Sequence, residues 1–182
     1  MAQVIDRFQR AADGFGARIE ATSVDAWSAP SPCAGWTARD VVEHAVGGMG
    51  SVAGAVLGTP EPVTAQTDLA QAWRTLEQNI LRALADPELA ARTMRAGPLG
   101  EMTFQDAVGG LGITEVLVHT WDLARAVGGD ERLDPELVLA CYDFLKPMDE
   151  GLRSPRAYGP KVEPPAGADI QTEFLCFLGR TV

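Results

Sequence analysis

Residues 103–126 read TFQDAVGGLGITEVLVHTWDLARA and decide the fold. At 100° per residue, Phe104, Val108 and Leu111 share one face of a helix, and the opposite side of the segment is also apolar. A helix that is apolar all round is buried. Thr103, followed by an acidic residue three positions later, predicts the helix start. We therefore expect this segment to be a buried helix that carries Glu115 and His119.

The same helical period recurs along most of the chain, and no β-alternation is longer than a few residues. The predicted helices cover about 2–21, 38–57, 69–85, 103–126, 135–146 and 169–179. The segment 87–102 is ambiguous, with a helical turn over 88–95 and a loop or short hairpin around Gly97-Pro98 as the options. The pattern predicts an all-α protein. Its four main helices would form a bundle, with an extra helix and a C-terminal tail packed outside.

The composition limits the partners that the chain can have. Its 182 residues include 15 Lys and Arg against 25 Asp and Glu, a net charge of −10. Without a basic cluster, we expect no nucleic-acid or anionic-membrane partner. The uncharged run 45–59 is shorter than the ~18 apolar residues of a spanning helix. Three unevenly spaced cysteines and a charged N-terminal segment predict a cytoplasmic protein without a signal peptide.

Glu115 and His119 are four residues apart on the predicted central helix, so their side chains lie on one face. Burying a carboxylate without a partner is costly. A divalent cation would offset that cost, and helical metal sites use such Glu/His pairs. Two plainer interpretations stay open: a simple Glu–His hydrogen bond, or a glutamate at a solvent-facing edge.

His44, the second of two histidines, is on the second predicted helix. Thr37 and Asp40 resemble a capping box at the start of that helix. Asp40 also precedes His44 by four residues, so its alternative role is to accept a hydrogen bond from the His44 ring and orient it. Glycines interrupt both helices, at positions 47, 48, 50 and 54 and at 109, 110 and 112. They indicate either close backbone packing or space for a ligand.

Three neighbouring residues also have alternative roles. Cys33, in the loop before the second helix, either reaches the same cavity or is a buried structural cysteine, and the absence of a CxxC partner favours the second. Trp36 either packs in the core or lines a pocket. Asp122 is expected to be structural, paired with Arg125 or with a backbone donor.

Segments at both ends of the chain and in its middle resemble a known family. Residues 31–44 read SPCAGWTARDVVEH, residues 115–126 read EVLVHTWDLARA, and the tail contains YGPKVEPP at 158–165 and FLGR at 177–180. Together they resemble the actinobacterial metal-binding proteins related to mycothiol-dependent maleylpyruvate isomerase, in the DinB/YfiT-like superfamily. The likeness covers essentially the whole chain. It implies a DinB/YfiT-like four-helix bundle and a single metal-binding domain over 1–182.

The resemblance also implies a chemistry. It makes His44, Glu115 and His119 the ligands of a divalent metal ion, most often zinc, with nickel or another ion as the alternative. It implies mycothiol or a similar low-molecular-weight thiol as co-substrate. We therefore expect a metal-dependent transferase or isomerase that acts on a small electrophilic substrate. A metal-dependent hydrolase and a non-catalytic bundle that binds metal or a small ligand are the alternatives, and apolar faces on the first or third helix would permit a homodimer.

Overall fold

The computed structural model describes residues 1–58, 63–95, 100–153 and 158–182. Its α-helices are α1 Ala2–Ala21, α2 Ala38–Leu57, α3 Leu69–Ala85, α4 Pro87–Ala90, α5 Phe104–Ala107, α6 Ile113–Val127, α7 Pro135–Leu145, α8 Asp149–Leu152 and α9 Ile170–Phe177. Two short strands, β1 Thr93–Arg95 and β2 Glu101–Thr103, pair antiparallel. Within the described ranges, 3₁₀ turns cover Val24–Ser28 and Lys146–Met148.

The long helices form a four-helix bundle. Helices α1 and α2 each pack against both α3 and α6, so α1 and α2 lie at opposite corners of the bundle. Their apolar faces meet in a core that contains the fully buried rings of Phe8, Phe15 and Trp73. The prediction of an all-α four-helix bundle is confirmed.

Local capping signals explain where the helices begin. Thr37 Oγ1 accepts a hydrogen bond from the backbone N–H of Asp40, and Asp40 Oδ2 accepts one from the backbone N–H of Thr37 at 2.8 Å. These two bonds complete the predicted capping box of α2. Asp134 caps α7, with Pro135 at the first helical position. Because these signals are local, the observed bounds of the long helices agree closely with the predicted ones.

The central helix differs from its prediction in one respect: a π-helical turn, Val108–Gly112, joins α5 to α6. A π turn holds about one extra residue, so a helical wheel does not extend across it. A Cβ on Gly112 would lie 3.1 Å from Met49 Cε, and one on Gly109 would lie 3.2 Å from Val4 Cγ2. Close packing, one of the two expected reasons for helix glycines, therefore applies to both positions.

Other sequence predictions fall on the connecting segments. The helical turn expected over 88–95 is the shorter helix α4, which β1 then follows. The pairing of β1 with β2 agrees with the hairpin alternative, although its Gly97-Pro98 centre lies outside the described residues. The second helix ends at Leu57 as predicted, with Gly58 as its C-cap, and residues 59–60 and 155–157 also lie outside the described residues.

Contacts divide the chain into two compact units, Met1–Arg132 and Leu133–Val182. The first holds the bundle. In the second, which contains the predicted extra helix and tail, α7 packs against α9, and Leu133 N donates to Gln171 Oε1 at 2.8 Å. The single domain over 1–182 stays a prediction. Among the described helices, none combines the length and the hydropathy that crossing a membrane requires.

Candidate metal centre

Helices α2 and α6 bring the three sequence-predicted ligands together. His44 on α2 and Glu115 and His119 on α6 each offer one nitrogen or oxygen atom within 4.8 Å of the others. Glu115 Oε1 lies 2.9 Å from His44 Nε2 and 3.1 Å from His119 Nε2. The spacing of four residues places Glu115 and His119 on one face of α6, and direct packing of α2 on α6 supplies His44.

The three side chains differ in their exposure to solvent. His119 is 6% exposed, Glu115 is 25% exposed and His44 is 47% exposed. The cluster is therefore closed on the α6 side and open beside α2. On α2, a Cβ at Gly47 would meet open space, and one at Gly48 would lie 3.9 Å from Glu115 Oε1. Gly48 therefore puts no side chain against the carboxylate, which agrees with space for a ligand, the other reason expected for helix glycines.

Asp122 holds the second ring nitrogen of His119. Its Oδ2 lies 2.9 Å from His119 Nδ1, and the Asp122 side chain is completely buried. Arg125, one of the two partners expected for Asp122, forms an ion pair with Glu131 at 2.8 Å. Asp122 follows His119 by three residues, and this spacing on one helical face was the sequence signal for the contact.

The loop that precedes α2 brings Cys33 and Trp36 to the same cluster. The Cys33 thiol donates to Asp122 Oδ2 at 3.3 Å, so Cys33 reaches the site, and it is partly exposed where the sequence favoured a buried structural cysteine. The Trp36 ring centroid lies 4.7 Å from that of His44 and 6.2 Å from that of His119. Trp36 is half-buried and lines the site. A hydrogen bond from Trp36 N to Cys33 O tightens the loop.

Asp40 does not orient His44. Its carboxylate accepts from the backbone N–H of Thr37 at 2.8 Å and from the Thr37 hydroxyl at 2.6 Å. Among the described residues, the ring of His44 is bonded to Glu115 and has no hydrogen bond with Asp40. The structure thus places Asp40 in the capping role, support of the start of α2.

The cluster has strongly coupled charges. Burial raises the pKa of Glu115, but hydrogen bonds from His119 and His44 outweigh burial and hold that pKa well below its usual range. Burial lowers the pKa of His119, but its contacts with Asp122, Cys33 and Glu115 outweigh burial and hold that pKa well above its usual range. The surroundings therefore favour a carboxylate and a positive charge side by side.

The donor set fits a divalent transition metal. Two imidazole nitrogens and one carboxylate oxygen are a common ligand set for catalytic zinc, with a fourth position open to solvent or substrate. Other first-row divalent ions bind the same donor types. A ligating histidine usually donates its other N–H to a carboxylate, and Asp122 occupies that position for His119. The residues present therefore suit the metal that the resemblance implies.

These features define a helical-bundle protein with a His/Glu/His cluster on two of its helices. A sequence profile described as "Mycothiol maleylpyruvate isomerase N-terminal domain" matches residues 8–124, which include the whole cluster. The chain belongs to the family of this domain.

Relatives of nearly equal length also match the chain. They include "Uncharacterized protein Rv0738" of Mycobacterium tuberculosis strain H37Rv and "Uncharacterized protein MT0763" of strain CDC 1551 of the same species. Each is 35% identical over 181 residues, which cover 96% of this chain and 96% of the relative. No solved structure matches the chain.

Proposed function

We propose that this protein is a divalent-metal-dependent enzyme that uses a low-molecular-weight thiol of the mycothiol type. In this proposal the thiol is transferred to a small electrophilic substrate, or assists its isomerisation. The observation that carries the proposal is the convergence of His44 Nε2 and His119 Nε2 on Glu115 Oε1. Membership of a family whose domain is named for mycothiol maleylpyruvate isomerase supports the choice of thiol and of reaction class.

His44, Glu115 and His119 would hold the cation, and zinc is the ion we favour for this donor set. When bound, a cation of this kind supplies Lewis acidity, which favours the anionic form of a thiol or of water near neutral pH. The alternative chemistry, hydrolysis, would use the same three residues with water in place of the thiol.

The surrounding residues orient the ligands. By accepting the Nδ1–H of His119, Asp122 favours the tautomer whose Nε2 lone pair faces Glu115 and His44. Because Asp122 and His119 are both buried, solvent does not compete for this hydrogen bond. His119 is therefore the fixed part of the site, whereas the half-exposed His44 borders the side from which small molecules reach it.

Trp36 and the glycines of α2 shape the space for a substrate. The half-buried Trp36 ring lies against both histidine rings and limits the access of water from its side. On α2, Gly48 leaves the helix surface without a side chain beside Glu115. A small electrophile and the end of a thiol would occupy the opening between the Trp36 ring and the exposed backbone of α2.

Metal analysis followed by a thiol titration tests the proposal. Protein purified without a His tag should contain one divalent ion per chain, and His44→Ala and Glu115→Gln should lose it. Ser51→Ala, on the same exposed face of α2, is the matched control and should keep it. Calorimetric titration of the metal-loaded protein with mycothiol should then show binding that both ligand variants lack.

Each outcome of this test separates the candidate functions. Metal-dependent binding of mycothiol supports the thiol-using enzyme. Stoichiometric metal without thiol binding at millimolar mycothiol would contradict thiol use and favour the hydrolase or the non-catalytic bundle. If the wild-type protein and both variants were equally free of metal after incubation with zinc, the metal site itself would be refuted.

A further inference from the structure

A second group of metal-ligand atoms lies on the other side of the His119 ring. Cys33 Sγ, His119 Nδ1 and one oxygen of Asp122 lie within 4.8 Å of one another. Asp122 Oδ2 is 2.9 Å from His119 Nδ1 and 3.3 Å from Cys33 Sγ. This group differs in kind from the first cluster, because it includes a sulfur ligand and is more deeply buried.

Burial and charge favour a cation at this position. His119 and Asp122 are buried, and Cys33 is partly exposed, which gives an ion a path inward past the sulfur. The carboxylates of Asp122 and Glu115 flank the His119 ring on both sides. Asp122 is fully buried and Glu115 is 25% exposed, and two carboxylates beside one ring raise the local affinity for positive charge.

We propose that Cys33, Asp122 and the Nδ1 atom of His119 form a second cation site that selects thiophilic ions such as Cd²⁺. Thiolate ligands select soft metal ions, whereas the nitrogen and oxygen donors of the first cluster do not. Two donors bound to one metal ion lie at least about 3.3 Å apart. The hydrogen-bonded distances of 2.9 Å from Asp122 Oδ2 to His119 Nδ1 and 3.3 Å from Asp122 Oδ2 to Cys33 Sγ would therefore lengthen when an ion binds.

The two sites share His119 and therefore compete. An ion in the second site displaces the thiol proton of Cys33 and the Nδ1 proton of His119 to solvent. A neutral imidazole then keeps its one proton on Nε2, where it is donated to Glu115 instead of leaving a lone pair for an ion of the first cluster. A thiophilic ion would thus prevent metal binding at the first cluster without binding to His44 or Glu115.

Cadmium titration of a protein whose first cluster is disabled tests the second site. In His44→Ala, added Cd²⁺ should produce the near-ultraviolet absorption of a thiolate–cadmium bond with one ion per chain. The double variants His44→Ala/Cys33→Ser and His44→Ala/Cys33→Ala should both lack this absorption. His44→Ala/Cys176→Ser, which removes a buried cysteine of the other compact unit, should keep it. Circular dichroism checks that each variant retains its helices.

Three results would overturn the inference. The first two are cadmium absorption that is absent from His44→Ala and cadmium absorption that persists when Cys33 is replaced. The third concerns competition: adding Cd²⁺ to zinc-loaded wild-type protein should release zinc and leave one ion per chain, whereas two ions per chain would contradict sharing of His119. Neither measurement uses a thiol co-substrate or an activity, so the inference and the proposed function can fail separately.

Discussion

Asp40 and Glu115 have the same position relative to a histidine, yet the structure uses them differently. Each carboxylate precedes its histidine by four residues on a helix. Glu115 lies between His119 and His44 with one oxygen close to both rings. Asp40 instead turns back to Thr37 at the helix start. Equal spacing thus gives one carboxylate of a candidate metal centre and one capping residue.

The difference comes from the partners that compete for each carboxylate. The first turn of a helix has backbone N–H groups without partners, and Thr37 adds a hydroxyl donor beside Asp40. Glu115 follows the π turn inside a continuous helix, where the backbone N–H groups are already bonded. Side chains are then its available partners. Spacing places two groups on one face, and unsatisfied donors decide which contact forms.

The largest expected effect is the loss of metal from Glu115→Gln. The neutral amide replaces the carboxylate that both histidines contact, so the affinity for zinc should fall by more than about 100-fold, beyond the range for outer residues that orient ligands. Competition with a chromophoric chelator measures the affinity. Asp40→Asn, which makes the same carboxylate-to-amide change at the other carboxylate, is the matched control. Equal zinc affinity in wild-type protein and Glu115→Gln would show that the cluster is only a hydrogen-bonded group.

The next effect is that of Asp122→Asn. The amide keeps the size of the side chain, but its weaker acceptor holds His119 Nδ1–H less firmly and admits the other tautomer. Loss of such an orienting carboxylate typically lowers metal affinity by about 10- to 100-fold. Nitrogen NMR of the imidazole rings should show His119 protonated on Nδ1 in the zinc-loaded wild-type protein and a mixture in Asp122→Asn. An unchanged affinity and tautomer would assign Asp122 to packing alone.

The sequence predicted the helices because their signals are local. Thr37 and Asp40 cap α2 three residues apart, and the apolar face of α1 is set by residues three or four apart, such as Phe8, Phe15 and Ile19. The π turn could not be predicted in this way. Its glycines accommodate Met49 and Val4, which come from two other helices and are distant in the chain.

The candidate metal site, like the fold, could be predicted from the sequence only where the signals are local. Helix faces and the family resemblance selected His44, Glu115 and His119, and these residues converge in the structure. The contact of Cys33 with Asp122 joins residues 89 positions apart, so no local pattern contains both. Asp122 was expected to pair with Arg125 or with a backbone donor, and its contact with His119 at a completely buried position is visible only in the fold.

A smaller effect is expected at the other carboxylate. Asp40→Ala removes half of the capping box and a negative charge from the first turn of α2, so the free energy of unfolding should fall by about 0.5 to 1 kcal/mol. Zinc affinity should stay within about twofold of wild type. Asp40 has no hydrogen bond with a proposed zinc ligand, and it is the loss of such a bond that lowers the affinity by about tenfold or more. Urea denaturation and chelator competition measure the two quantities. A tenfold loss of zinc affinity would restore Asp40 to the metal site.

The smallest effect is the pH dependence of that capping box. Hydrogen bonds from Thr37 hold the pKa of Asp40 below its usual range, with a further contribution from the charge of Arg39. A carboxylate with a lowered pKa in the folded state stabilises the protein above its unfolded pKa of about 3.9. The stability difference between wild type and Asp40→Ala should therefore be full at neutral pH and shrink as the pH falls through the lower folded pKa.

Thr37→Val removes the hydroxyl that lowers the pKa of Asp40 most. In that background the stability difference should be smaller and should disappear at a higher pH. A difference that stays constant down to about pH 3 would mean that the charge of Asp40 contributes nothing to the start of α2.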